Sequence, residues 1–563
     1  MIRKMKKFKD YIKGHRSIVL LCSIVLVVAC TDKFEEYNTN PNKLSKLEPS
    51  QLPFLFSKAQ SVATNNGWNY QIAQNLFHDQ YCQYFANTTT YFPSDRLVIR
   101  MDWIRAAWNP IYTEVVPQLQ SIFEATEEGS AEYALANVWW VYTFHRLTDT
   151  WGPVPYFSAG QAGEGVPYDA QDLIYDDMFK RLASAISVLD GFAGQNIFSD
   201  YDLIYNGDVN KWRKFANTLR LRLAIRISGV DAARAKTEGE AAAAAGTLTT
   251  SPGDDALIKR SLNGDDFNGL AIMDWNEFRM SSTMESVLKG YADPRMPIYF
   301  MPTRDSWRAN EKANGKPETE DMANVNFDDP AHPLEYHGLR NGLSSADMAA
   351  ALNKPSATSH HGERWNDGDP VYNSPNGKET PSNVMATAEA DFLKAEATLL
   401  GWNVGGLTAK QHYENGIRNS MAQWGITDAT VVNAYINSAA TPIAPGDAQG
   451  SPAVSTAPVA FGGTTALQRE QITIQKWLAL YPEGVEAWAD IRRSRAFKLY
   501  PVKQSDNPDL PTAANINTPT DNWIRRIPFI NDEKITNGTE VTKAVPLLDG
   551  PDNIATPLWW DVN

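Results

Sequence analysis

Apolar residues recur at helical spacing in six stretches of the chain. Ala136, Trp140, Phe144 and Leu147 fall on one helical face, as do Ile174, Met178, Leu182, Ile186 and Leu189. Trp212, Phe215, Ala216, Leu219 and Leu223 make a third face, and Ala388, Phe392, Ala395, Leu399 and Trp402 a fourth. Tyr413, Ile417 and Trp424, then Ile474, Trp477, Leu478 and Tyr481, complete the set. Steps of three and four keep side chains on one stripe, which is the mark of an amphipathic helix. Turn-rich connectors join neighbouring stretches, from Trp151-Gly152-Pro153 to Pro167 and from Asn403 to Gly406. Helices paired in this way, with small residues at their contacts, predict a mostly α fold of tetratricopeptide-like hairpins. No internal self-similarity marks the ~34-residue period of that repeat. The helix tryptophans Trp140, Trp212 and Trp477 read as core.

The helical pattern lapses twice. Residues 246–380 are rich in Gly, Pro, Asn, Asp and Ser and carry scattered aromatics, among them Trp275, Tyr299, Trp307 and Trp365. Residues 436–465 are Ala, Pro, Gly, Ser and Thr with little charge, which predicts an exposed loop. Long irregular segments on a rigid scaffold are where binding usually resides.

The first forty residues have a different logic. Seven basic side chains and one acid precede Ser17, and residues 17–29 carry no charge. As a helix that run would span about 20 Å, short of a hydrocarbon core of about 30 Å. A basic region, a short apolar run and a small residue, Ala29, predict a signal peptide over residues 1–29. Val27-Val28-Ala29-Cys30 resembles a bacterial lipobox, so Cys30 is the expected lipid attachment site. Residues 30–53, interrupted by Pro41, Pro49 and Pro53, read as a tether, and residues 54–563 as the binding domain. Cys82 is then the one cysteine in the mature body besides Cys30, so the fold rests on its core without an internal disulfide.

Cleavage sharpens the charge. The chain has 52 basic and 66 acidic side chains, net −14, and loss of the basic leader takes the mature protein to −20. That balance opposes nucleic-acid binding and electrostatic adhesion to anionic lipid, leaving the lipid as the membrane contact.

Catalytic strings are missing. The chain holds no G-x-S-x-G, H-E-x-x-H, Walker-type or G-x-G-x-x-G motif. His360-His361-x-Glu363 is the densest metal-like cluster, yet adjacent histidines chelate poorly, and it reads as a solvated loop. Asp367-Gly368-Asp369 reads as a turn rather than a calcium loop. Glu389, Asp391 and Glu396 read as the solvated or capping face of a helix, and Arg492, Arg493 and Arg495 as ion pairs near a helix end. No cofactor, metal or catalytic residue is expected.

Motifs spread along the chain carry a resemblance. They include Tyr37-Asn38-Thr39-Asn40-Pro41-Asn42, Trp108-Asn109-Pro110-Ile111-Tyr112 and Asp149-Thr150-Trp151-Gly152-Pro153-Val154-Pro155-Tyr156. Asn210-Lys211-Trp212-Arg213-Lys214-Phe215-Ala216-Asn217 and Ala292-Asp293-Pro294-Arg295 follow. The strongest are Ala388 through Ala397 (AEADFLKAEA), Gln475 through Leu480 (QKWLAL) and Glu486 through Arg493 (EAWADIRR), with Leu558-Trp559-Trp560-Asp561 closing the chain. In their order and spread they resemble the SusD/RagB family of outer-membrane nutrient-binding lipoproteins, in particular its second large branch. The resemblance implies a single compact α-rich fold with long ligand-face loops, residence at the outer membrane facing the exterior, and no enzymatic activity. It implies a SusC-like TonB-dependent transporter as partner, with this protein as its lid, and a glycan or other oligomeric nutrient as ligand. Asp32, Glu35 and Glu36 depart from the uninterrupted acidic cluster that often follows the lipidated cysteine in surface members.

Sugars present flat apolar faces ringed by hydroxyls, which Trp and Tyr match with flat area while Asn, Asp and Arg fix orientation. Aromatics in irregular segments are therefore the candidates: Trp68, Asn69 and Tyr70; Tyr91 after three threonines; and Asp274, Trp275 and Asn276 with Arg279. Two other readings compete with a receptor. A surface glycoside hydrolase needs two converging carboxyls. A helical adaptor would bind only protein.

Overall fold

The computed structural model describes residues 48–65, 67–161, 165–260, 268–365, 377–510 and 524–562. Cys30, the signal peptide, most of the tether and Asp367-Gly368-Asp369 lie outside the described residues. The chain falls into two units, Met1–Gln51 and Leu52–Asn563. The described part of the first is a single turn, Pro49–Gln51, closed by the Gln51 side chain accepting from the Glu48 amide at 3.0 Å.

Helices build the second unit: α1 (Leu52–Ala63), α2 (Met101–Pro110), α3 (Val116–Ala125), α4 (Ala131–Trp151), α5 (Gln171–Asp190), α6 (Val209–Arg226) and α7 (Ala232–Ala245). They continue as α8 (Ser282–Gly290), α9 (Arg304–Ala313), α10 (Thr387–Leu399), α11 (Ala409–Gln423), α12 (Ala429–Ile436), α13 (Thr465–Leu480) and α14 (Gly484–Ser494). Local chemistry sets their ends. The Ser130 hydroxyl accepts from the Tyr133 amide to start α4, and Gly152, at φ +87°, ends it. Asp208 caps α6 through the Asn210 and Lys211 amides, and Thr408 and Gln411 form a reciprocal box at the start of α11.

Four helix pairs form the scaffold: α4 on α5, α6 on α7, α10 on α11 and α13 on α14. The pairs are linked in chain order through α5–α6, α6–α10 and α10–α13, and α14 packs back against α4. Small residues do sit at these contacts. A Cβ at Gly416 of α11 would lie 2.7 Å from the Phe392 ring of α10, and one at Gly239 of α7 would lie 2.3 Å from the Trp402 ring. Trp139, Trp212, Trp477 and Trp488 are all fully buried in the core, and Trp140 is buried beside them.

The acidic face of α10 is a correction to the sequence reading. Glu389, Asp391 and Glu396 are buried, not solvated. Glu389 takes a bidentate pair from Arg222 of α6, both contacts at 2.6 Å, and Arg222 also reaches His145 of α4 at 3.2 Å. Arg226, one turn on, holds both Glu486 oxygens at 2.6 Å. Glu396 is gripped by Arg493 of α14 at 2.7 and 2.8 Å, and Asp490 joins Arg493 at 2.8 Å and Lys476 of α13 at 2.7 Å. Burial pushes the Glu396 and Asp490 carboxyls up, but Arg493 and Lys476 win and hold both below their ordinary values. Glu389 and Glu396, read as part of a solvated face, are each one half of a buried pair whose other half lies about 100 to 170 residues away.

The irregular region contains more order than its composition suggests. Helices α8 and α9 lie within it, and two short antiparallel ribbons tie it to the scaffold. In one ribbon β1 (Phe85–Asn87) pairs with β3 (Phe278–Met280); in the other β2 (Ala256–Ile258) pairs with β4 (Ser382–Met385). The segment 436–465 is irregular, with many exposed residues as expected, but it is also anchored to the scaffold at several points. The Ser286 hydroxyl donates to the Ile443 carbonyl at 2.5 Å, Tyr291 donates to the Ala457 carbonyl at 2.9 Å, and Ala457 and Val459 are fully buried. Short side chains permit this approach, since a Cβ at Gly290 would meet the Pro442 backbone at 2.6 Å.

Candidate functional site

The β1–β3 ribbon brings two of the three aromatic segments together. Phe85 faces Met280, Ala86 faces Arg279 and Asn87 faces Phe278. Just beyond the ribbon, Thr88 donates from its amide to the Glu277 carbonyl at 2.9 Å and from its hydroxyl to the same oxygen at 3.0 Å. Thr88, where the loop to Tyr91 begins, therefore lies against the turn bearing Asp274, Trp275 and Asn276. The third segment joins through a side chain, with Gln71 donating to Glu277 Oε2 at 2.5 Å. The Gly67–Tyr70 turn also packs against the Leu270–Asp274 turn.

The ribbon is seated firmly. Phe85 stacks on His361 with ring centroids 4.1 Å apart, His361 Nδ1 lies 2.8 Å from the Tyr481 hydroxyl, and Trp477 donates to the Cys82 carbonyl at 2.9 Å. His361 is thus a buried packing residue, not part of a solvated loop. Burial and the Arg279 charge depress its pKa well below the ordinary histidine value, so it packs as a neutral ring. Among the described residues, no group of three or more His, Cys, Asp and Glu side chains is arranged to hold a metal.

Exposure sorts the candidates into two tiers. Tyr91 is 72% exposed and Trp275 39%, and Asp274 and Asn276 are exposed beside them. Asn69 is half-buried, and Trp68 is placed by its backbone on the Gly67–Tyr70 turn while its side chain lies outside what is described. Tyr70 and Arg279 lie below this surface. Arg279 is fully buried and spends its guanidinium on the carbonyls of Phe278 at 2.7 Å and Pro355 at 3.1 Å and on Asn276 Oδ1 at 2.7 Å. Asn276 is left-handed, at φ +57°, and Arg279 braces the turn that presents Trp275. Tyr70 donates to Asp79 Oδ2 at 2.5 Å, while Gln74 and the Gly484 amide each reach Asp79 Oδ1 at 3.1 Å.

The sequence pattern missed Trp103, half-buried on the first turn of α2. Its ring lies 6.3 Å from Tyr91 and 6.0 Å from Phe92, and Arg100 sits 4.5 Å over it while bonding Asp102 in a bidentate pair. Its position at a helix start, beside the charged Arg100 and Asp102, was the available signal. Glu277 was also passed over, as one acid among many. Half-burial raises its carboxyl pKa, with Gln71 opposing.

Asp79 beneath the site predicts a pH response. Burial lifts its carboxyl from 3.8 to about 7, against the hydrogen bonds from Tyr70 and Gln74. A folded pKa above the unfolded value means that the native state binds the proton more tightly. This contribution is complete below the unfolded pKa and is lost as pH rises towards the folded one. Asp95, buried nearby in the chain, behaves alike. Asp79→Asn keeps the shape and removes one titration. Urea midpoints between about pH 5 and about pH 8 should fall less steeply for the variant, with a difference on the order of 1–3 kcal/mol. Parallel curves would show that Asp79 ionises without cost.

Paired helices bearing a loop-built surface of aromatics, amides and hydroxyls define the class: a helical-repeat scaffold with a polar–aromatic face. The profile of the Susd and RagB outer membrane lipoprotein family matches residues 36–561. The chain belongs to this SusD-like family. It is similar in structure to a chitin-binding SusD homolog from Flavobacterium johnsoniae, at 30% identity and TM-score 0.75, covering 91% of this chain and 99% of that one. SusD homologs from Bacteroides vulgatus (28% identity, TM-score 0.74, 90% and 98% covered) and Bacteroides thetaiotaomicron (26%, 0.75, 91% and 99%) share the fold. No curated protein sequence matches the chain. Among the described residues no helix is long and apolar enough to cross a membrane.

Proposed function

We propose that the protein is a surface lipoprotein, anchored through Cys30, that binds an oligosaccharide or other oligomeric nutrient. In this reading it passes the ligand to a SusC-like TonB-dependent transporter over which it sits as a lid. The observation that carries the reading is the meeting of three loop segments at Glu277, which sets Tyr91 and Trp275 exposed among Thr, Asn and Gln hydrogen-bonding groups. Aromatic faces stack on sugar faces, and side-chain amides and hydroxyls select their orientation. Family membership and the chitin-binding title of a similar structure support a carbohydrate ligand. The protein works by binding, and the glycan panel below also tests for turnover.

Calorimetric titration with hexamers of N-acetylglucosamine, glucose, mannose and xylose should give saturable binding to at least one. The recovered glycan should keep its length. Flat titrations across glycans, with retained capture of the transporter, would favour a protein-only adaptor. Accumulating shorter products would favour a hydrolase.

A further inference from the structure

Glu277 joins the segments of the proposed site. Its carbonyl takes the Thr88 amide and hydroxyl at 2.9 and 3.0 Å, its Oε2 takes Gln71 Nε2 at 2.5 Å, and its backbone continues the turn that carries Trp275. Gln71 follows directly on the turn that holds Trp68, Asn69 and Tyr70. The carboxylate is half-buried and has a second oxygen, Oε1, beyond the Gln71 contact. Fixing one oxygen fixes the other, so Oε1 is a preorganised acceptor two residues from an exposed indole. Asp274, on the other side of Trp275, is exposed and adds a like charge. Among the described residues, Arg279 is committed to Asn276, Phe278 and Pro355 beneath the turn, and Arg100 to Asp102.

We infer that Glu277 sets the ligand class of this site, accepting a hydroxyl or amide N–H from a neutral glycan stacked on Trp275 and excluding glycans that carry carboxylates. The inference rests on the receptor reading above and deepens it. A carboxylate accepts only, so its partner in the ligand must donate. A bond to an ionised acceptor is about twice as strong as a neutral one, whereas a ligand carboxylate brought to the same place meets the like charge of Glu277. Attraction for one class and repulsion of the other come from a single side chain, which is how a shallow site gains specificity.

The substitution Glu277→Gln reverses the hydrogen-bonding sense. Gln71 still needs an acceptor, so the new amide gives its oxygen to Gln71 and turns its NH₂ towards the ligand. The lipidated chain in detergent is titrated with the N-acetylglucosamine hexamer and with a galacturonate hexamer. Wild type should bind the neutral hexamer and not the uronate. Glu277→Gln should weaken the neutral hexamer by about tenfold and bring uronate binding into the measurable range. Gln71→Ala frees the carboxylate but keeps its charge, so neutral binding should fall several-fold while uronate exclusion persists. Wild-type binding of both hexamers with similar affinity, or a Glu277→Gln variant unchanged towards both, overturns the inference and leaves the receptor standing. A wild type that binds neither hexamer overturns the inference; if glucose, mannose and xylose hexamers also give flat titrations, the receptor reading fails with it. Unchanged melting of each variant confirms that the readout is binding.

Discussion

Replacing Glu389 with alanine should cost about 3–5 kcal/mol of stability, the largest loss expected from any single change discussed for this protein. The Arg222 and Glu389 side chains are 1% and 0% exposed, so the pair is shielded from solvent screening. Glu389→Ala leaves a buried guanidinium with its neutral His145 contact and a Glu486 oxygen at 3.6 Å that is already engaged with Arg226. His145 supplies no counter-charge: burial and the arginines around it keep its pKa well below the ordinary value, and a protonated ring would only add a second positive charge beside Arg222. The cost is that of stranding a charge, which differs from the net worth of the pair. The double variant Arg222→Met/Glu389→Leu, which replaces both charges with apolar groups of similar bulk, should therefore recover more than half of the loss. Guanidinium unfolding followed by tryptophan fluorescence reads both. A single variant within about 1 kcal/mol of wild type would mean that Glu486 alone satisfies Arg222.

The contrast between that pair and its appearance in the sequence shows what one dimension carries. Helical periodicity placed α4, α5, α6, α10, α11 and α13, because each helix needs its own apolar stripe. It did not place α8 and α9, which are short and lie among turn residues. The acids of α10 read as solvated because a charged side chain is normally exposed, and their arginine partners come from α6 and α14. Local pattern contains no information about a partner about 100 residues or more away. The same limit applies to the site. Exposure of Tyr91 and Trp275 followed from their irregular surroundings, but their neighbourhood depended on the β1–β3 register, set by two three-residue strands. Tyr70 and Arg279 had the right chemistry in the right segments, yet the fold uses them underneath, where they brace the turns on which the exposed residues stand.

That division between exposed and bracing residues gives the second large effect. Trp275→Ala and Tyr91→Ala should each weaken binding of the neutral hexamer by roughly 5- to 30-fold, from about 1–2 kcal/mol of ring area that a stacked sugar would cover. Tyr91→Ala should change stability by no more than about 0.5 kcal/mol, since its ring is 72% exposed, and Trp275→Ala by about 1 kcal/mol, since much of its ring is covered. If one oligomer spans both rings, the losses add in free energy and the double variant should fall by roughly 25- to 900-fold. Shortening the glycan provides the control: a dimer too short to reach from one ring to the other should respond to one substitution and ignore its companion. Tyr70→Phe should behave in the opposite sense. It removes the hydroxyl that Asp79 accepts, so stability should change by about 1–2 kcal/mol while the exposed rings keep their chemistry. Equal sensitivity of affinity to Tyr70→Phe and to Trp275→Ala would mean that the buried tier contacts the ligand and belongs to the binding surface.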